Sequence, residues 1–132
     1  MPCTLCTPSG DIVYEDDDAY VAVHEDWAVP GHVMIVAKRH VENASSLDEN
    51  AWLRIAGVWH RTERALLTLT GAERCVAMKL GILTPHLHIH LYPVPARWTR
   101  EQVFAAIDGK TRVDRDERFL TNLKALLTPA PH

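Results

Sequence analysis

Nowhere in this 132-residue chain is there an apolar run long enough to span a bilayer. Its first residues, Met1-Pro2-Cys3-Thr4-Leu5-Cys6, are neither basic nor apolar, so they do not read as a signal peptide. The expected location is therefore the cytoplasm. An excess of one charge is missing too: 14 Lys and Arg stand against 17 Asp and Glu, a net charge of -3. That balance offers no basic track for nucleic acid. With only three cysteines the thiols cannot all pair, and in a reducing compartment closely spaced cysteines favour metal over disulfide. Internal repeats, low-complexity segments and linkers are absent, so residues 1–132 are expected to form a single domain. A chain of this length buries about two-thirds of its unfolded surface.

What the chain does have is histidine in an ordered pattern. In Leu83-Thr84-Pro85-His86-Leu87-His88-Ile89-His90-Leu91-Tyr92, imidazoles and aliphatics alternate. Successive side chains of a strand point to opposite faces, so His86, His88 and His90 are expected on one face and Leu87, Ile89 and Leu91 on the other. The aliphatic face packs inward, and the histidine face meets a cavity or solvent with groups that titrate near neutrality. Histidines two apart lie roughly 6.6 Å from each other and the outer two roughly 13 Å. The outer pair can hardly share one ion at bond lengths of about 2 Å. Such a row suits a longer object, for example a polyphosphate laid along it. A neutral imidazole is a competent nucleophile towards phosphorus, and a neighbouring one can stabilise charge on the leaving oxygen. The plainer alternative is a polar strand face with incidental histidines, which strict alternation disfavours.

The remaining chain reads as α+β. Strands are predicted over residues 11–15, 19–23 and 32–38, the first two joined by the acidic turn Asp16-Asp17-Asp18, and the third apolar enough to lie centrally. Ser46 or Asp48 caps a long helix ending near Thr70 before Gly71, with Trp52, Ile55, Trp59, Leu66 and Leu69 as its apolar stripe. Strands 74–79 and 87–94 and helices 101–107 and 115–127 complete an antiparallel sheet of about five strands with one long helix packed on it and short C-terminal helices.

His86-Leu87-His88-Ile89-His90-Leu91-Tyr92 resembles the signature of the histidine-triad (HIT) superfamily of nucleotide hydrolases and transferases. Residues 30–40, Pro30-Gly31-His32-Val33-Met34-Ile35-Val36-Ala37-Lys38-Arg39-His40, resemble an earlier block of that family, and the likeness spans about Cys3 to Pro93. The resemblance implies a HIT-like fold, usually a two-fold homodimer. It further implies that His88 attacks the α-phosphorus of a purine nucleotide to form a covalent nucleotidyl-histidine. His90 would contact the phosphate near the scissile bridge, and His32 would be an additional catalytic histidine. Dinucleoside polyphosphates are the substrate class it favours.

Cys3-x-x-Cys6 alone reads as a redox pair or as half of a zinc site. The resemblance supplies the other half: in similar bacterial proteins, residues at the places of His40 and His86 complete a structural Zn²⁺ site, which would orient His88 indirectly. Cys75, in a strand, reads as a small buried apolar residue. For the nucleotide, the resemblance points to Glu25 or Asp26 on the ribose, and Trp27 either flanks the base or covers the sheet. A phosphate-gripping Gly-Gln-(Ser/Thr) stretch common in relatives is replaced by Gly81-Ile82-Leu83-Thr84-Pro85. Thr84 and Lys79 are the candidates to compensate. That departure motivates a competing reading, a non-catalytic nucleotide-binding or regulatory module with a structural zinc. A third reading, a metal enzyme using His88 and His90 as ligands, is less favoured.

Overall fold

A computed structural model describes residues 3–8 and 10–128; the expected domain limits at residues 1 and 132 lie outside them. The strands are β1 (Asp11–Glu15), β2 (Ala19–Val23), β3 (Val33–Ala37), β4 (Arg74–Met78) and β5 (His88–Val94). They form one sheet of order β1-β2-β3-β5-β4 in which every neighbouring pair is antiparallel. The apolar run of β3 does take the central position. Helix α1 (Glu49–Thr70) follows β3, and α2 (Arg100–Ile107) and α3 (Glu117–Leu127) follow β5. No helix among the described residues is long and apolar enough to cross a membrane.

Local chemistry accounts for the main junctions. The β1–β2 turn has no glycine, but Asp16 Oδ1 accepts from the backbone N–H of Asp18 at 2.8 Å and of Ala19 at 2.9 Å, so one carboxylate closes the turn. Helix α1 starts where Asp48 Oδ1 accepts from Ala51 N at 2.8 Å, leaving Ser46 in a preceding 3-10 turn. It stops at Gly71, whose φ of 72° is the left-handed cap.

One sheet face carries Val13, Val21, Val23, Val33, Ile35, Leu87, Ile89 and Leu91, and it packs against Ile55, Val58 and Leu66 of α1 and Leu123 and Leu127 of α3. The opposite face is split. Tyr20, Ala22 and Val36 form a small cluster at one end, and Tyr92, Val94, Val29 and Ala106 form another. Between the two clusters stand His88 and His90, paired across β3 with Val36 and Met34.

Candidate active site

The regular strand takes in only two of the three alternating histidines. Beyond Pro85 the chain first turns, with His86 N donating to Thr84 O at 2.8 Å, and β5 begins at His88. His86 is buried, at 1% exposure. Its Nε2–H donates to Ala37 O at 2.6 Å, which leaves Nδ1 as a lone pair facing Cys3 and Cys6. The expected surface for a polyphosphate along three imidazoles therefore shortens to two.

Around His86 Nδ1 the two cysteines and His40 converge. Cys3 Sγ lies 3.2 Å and Cys6 Sγ 3.6 Å from it, His40 Nδ1 is 3.2 Å away, and Cys6 Sγ to His40 Nδ1 is 3.1 Å. Bond lengths of about 2.3 Å to sulfur and 2.0–2.1 Å to nitrogen give tetrahedron edges of roughly 3.3–3.8 Å. The donor types and spacing are thus compatible with zinc, and the Ala37 carbonyl behind His86 fixes the ring tautomer such a ligand needs. Tyr20 Oη donates to Leu5 O at 2.8 Å, holding the arm between the two cysteines onto β2. Cys75 is half-buried, and its thiol is pushed up to about 12 by burial and then by the nearby Glu63 charge. It is an inert packing residue.

His88 and His90 face a cleft of about 220 Å³, which also takes in His24, His32 and Tyr92. His88 Nδ1 lies 2.6 Å from the backbone oxygen of His86. A carbonyl only accepts, so Nδ1 carries the proton and Nε2 presents a lone pair to the cleft. His32 Nε2 and His90 Nδ1 are 2.9 Å apart. Burial, reinforced by His24 and His90, pushes His32 down to about 2. Burial, reinforced by His88 and His24, pushes His90 down to about 4. Both rings are therefore neutral at pH 7 and share one proton along their contact. His32 Nδ1 is buried without a partner, and an orphaned N–H is costlier than an orphaned lone pair. The favoured tautomer puts the His32 proton on Nε2, donating to His90 Nδ1, so that His90 keeps its own proton on Nε2 as a donor into the cleft.

Four residues expected to meet a nucleotide lie elsewhere. Trp27 is buried at 2% exposure, edge-on to Phe119 at 5.3 Å between ring centres, so it covers the sheet and does not line the histidine cleft. Glu25 is exposed and lines a separate recess with Val113 and Arg115. Lys79 is exposed and reaches Asn43 Oδ1 at 3.5 Å. Its neighbour Met78, paired with His90, takes the cleft side of the strand instead. Thr84 gives its carbonyl to the turn before His86 and is absent from the cleft lining. Asp26 does line the cleft, but its carboxylate is held by Arg112 at 2.9 Å.

Sequence reasoning missed His24 and the far wall. His24 directly follows β2, and its ring stacks on His32 at 4.4 Å with planes 10° apart. Its Nδ1–H donates to Asp26 O at 2.7 Å. The only sequence signal was a titratable residue ending an apolar strand. His24, His32 and His90 each bring a ring nitrogen within 4.8 Å of the others. In-plane lone pairs on two parallel stacked rings do not converge on one point, so the three form a row, His24 stacked on His32 and His32 hydrogen-bonded to His90, and not an ion cage. Ala106, Ile107, Gly109, Thr111 and Arg112 supply the far wall. That wall is pinned by Val113 N donating to Trp27 O at 2.8 Å, a pairing between distant segments that local pattern cannot reveal.

Comparison with known proteins places these features in context. The family model described as HIT domain matches residues 8–95. A histidine triad protein of Bradyrhizobium japonicum is 23% identical with a TM-score of 0.74, over 89% of this chain and 92% of that one. A zinc-bound histidine triad family protein of Mycobacterium smegmatis is 22% identical with a TM-score of 0.69, over 95% of this chain and 92% of its own. A hypothetical histidine triad nucleotide-binding protein of Sulfolobus tokodaii strain 7 is 21% identical with a TM-score of 0.67, over 95% and 89%. At these identities the likeness is one of fold.

Proposed function

Since this chain belongs to the HIT domain family, we propose that it is a nucleotide hydrolase or nucleotidyl transferase acting on the α-phosphate of a purine nucleotide, with dinucleoside polyphosphates as the first substrate class. The observation that carries this reading is the bond from His88 Nδ1–H to His86 O at 2.6 Å. It commits Nε2 as a lone pair aimed into the cleft, the state a nucleophile needs. Nε2 attacks phosphorus as the bond to the bridging oxygen breaks, and the phosphate leaving group departs as an anion; where nitrogen bridges instead, the amine takes up a solvent proton as it leaves. His90 Nε2–H stabilises the charge growing on that oxygen by hydrogen bonding, without giving up its proton. The phosphorylated imidazole is cationic, and the His86 carbonyl faces its Nδ1–H. Water then attacks phosphorus, the N–P bond breaks, a proton passes to solvent, and His88 returns neutral. His32 acts on His90 by fixing its tautomer.

Cys3, Cys6, His40 and His86 are the residues that would hold a structural zinc, which supplies charge compensation for the cysteines and a fixed ring for His86 when bound. The chain is further read as a two-fold homodimer, a reading supported by the unpaired outer edge of β4.

One preparation tests these points. Incubation with a diadenosine polyphosphate or an adenosine phosphoramidate should release nucleoside monophosphate and trap label on His88. His88→Ala should lower turnover by 10³-fold or more while leaving fold and metal content in place. Metal analysis should find one zinc per chain, lost in Cys3→Ser, and light scattering should give twice the chain mass. Wild-type turnover in His88→Ala would overturn the mechanism. Nucleotide binding without any label on His88 would favour the non-catalytic module, which the displacement of Thr84 and Lys79 from the cleft supports.

A further inference from the structure

We propose that Arg112 is the anion-binding residue of the cleft, held against Asp26 when no ligand is present and released to the phosphates beyond the reacting one. The substrate class this implies is a polyphosphate ester, so the inference deepens the reading given above and rests on it for the identity of the ligand.

Among the described residues that line the cleft, Arg112 is the only lysine or arginine. The alternatives face elsewhere: Lys79 reaches Asn43, Arg97 lines a separate groove with Trp98 and Phe119, and Arg100 lies over the Phe104 ring at 4.9 Å. The imidazoles do not fill the gap. Burial keeps His32 and His90 neutral near pH 7, and His88 must be neutral at Nε2 to attack. A ligand bearing two or more negative charges therefore meets one fixed cation here, and Arg112 is it.

The pair it makes with Asp26 has the character of a latch. Arg112 Nη1 lies 2.9 Å from Asp26 Oδ2, with the two side chains 62% and 58% exposed. An ion pair this open to water is weakly held. A polyphosphate offers the guanidinium several oxygens in bidentate geometry and more charge than one carboxylate. The pair is not needed to hold the wall in place. Lys110 N to Ala105 O at 2.9 Å before it, and Val113 N to Trp27 O at 2.8 Å and Arg115 Nη2 to Asp11 Oδ2 at 2.6 Å after it, already tie that segment down. Arg112 also lies past residue 95, where the family match ends.

The test is a pair of substitutions whose effects a purely structural tie would make equal. Arg112→Gln and Asp26→Asn both break the pair. Calorimetric titration with inorganic tripolyphosphate should show Arg112→Gln binding about tenfold more weakly than wild type. Asp26→Asn should bind it several-fold more tightly, because the guanidinium is freed. Arg112→Lys should recover part of the lost affinity, the share due to charge without bidentate geometry, which separates charge from any folding defect in Arg112→Gln. Raising the salt concentration should weaken wild type more than Arg112→Gln. In turnover, Arg112→Gln should lower kcat/KM for diadenosine tetraphosphate about tenfold more than for an adenosine phosphoramidate, whose leaving amine carries no phosphate. Shifts in the same direction for Arg112→Gln and Asp26→Asn, or no tripolyphosphate binding by wild type, would overturn the proposal. Tripolyphosphate binding requires no turnover, so a chain that binds it as expected but cleaves neither nucleotide defeats the hydrolase reading alone.

Discussion

Gly31 decides where His32 ends up. Its φ of 91° lies in the left-handed region, and a Cβ there would meet Phe119 Cζ at 3.0 Å and Pro93 Cγ and Thr70 Cγ2 at 3.2 Å. Both the backbone and the space exclude a side chain. We expect Gly31→Ala to lower stability by roughly 1–3 kcal/mol, read as a reduced urea midpoint, with turnover falling at temperatures where the fold persists. An unchanged midpoint would show that the loop relaxes freely. At this scale strand alternation made the shared face of His88 and His90 legible from the residues themselves. The meeting of Cys3, Cys6, His40 and His86, and the place of His32 beside His90, were expected only from the family resemblance, because these residues lie far apart along the chain. Of the alternatives left open, Trp27 takes the sheet-covering one and Asp26 rather than Glu25 lines the cleft, while Lys79 and Thr84 lie off it. Residue type names a capability, whereas the direction of a loop side chain is set by partners such as Phe119 and Asn43 that lie far along the chain.

Among the elements, the hairpin β1–β2 depends most on a single side chain. Asp16 accepts two backbone N–H bonds and also the Tyr14 hydroxyl at 2.8 Å, while Asp18 is gripped by Arg54 of α1 at 2.7 and 3.1 Å. Asp16→Ala is expected to cost about 1–2 kcal/mol, and Asp17→Ala, at an exposed position without such bonds, close to nothing. Equal thermal shifts in the two variants would refute that division of labour. Element boundaries followed the sequence closely where a physical stop exists, as at Asp48 and Gly71 for α1. The start of β5 falls one residue from its expected place at Leu87. Alternation put three imidazoles on one strand face, but Pro85 and the turn closed by Thr84 hold His86 outside the regular ladder. A period-2 pattern reports side-chain faces, and it persists for a residue or two where hydrogen bonding has already changed.

For the molecule as a whole, the buried neutral histidines couple folding to acidity. His32 and His90 titrate at about 2 and about 4 when folded, against about 6.5 in the unfolded chain. Between those limits the unfolded state binds more protons, so stability rises with pH up to about 6.5 and is flat above. On acidification it is lost progressively from pH 6.5 downward. The groups facing His90 (His24, His32, His88 and Tyr92) include no carboxylate to offset this. Melting temperatures should fall between pH 7 and pH 5, above the range where most carboxylates titrate, and His90→Asn should flatten that fall. A melting temperature constant across the window would mean that these rings are already protonated or solvated when folded. The sheet with its long helix was readable from periodicity, since each strand and helix announces its own buried face. The far wall of the cleft was not, because Ala106 to Arg112 approach His24 and His88 only after the chain has crossed β5 and returned through α2.

That return path divides responsibility within a single cavity. The imidazoles of the cleft belong to the stretch matching the HIT family, residues 8–95, while the opposing side is contributed by a stretch that follows it. Ligand preference is therefore open to retuning by exchange of the later segment, with the histidine side of the cleft left untouched. Grafting a foreign sequence between α2 and α3 is accordingly the natural route to a variant with the same chemistry and a different clientele.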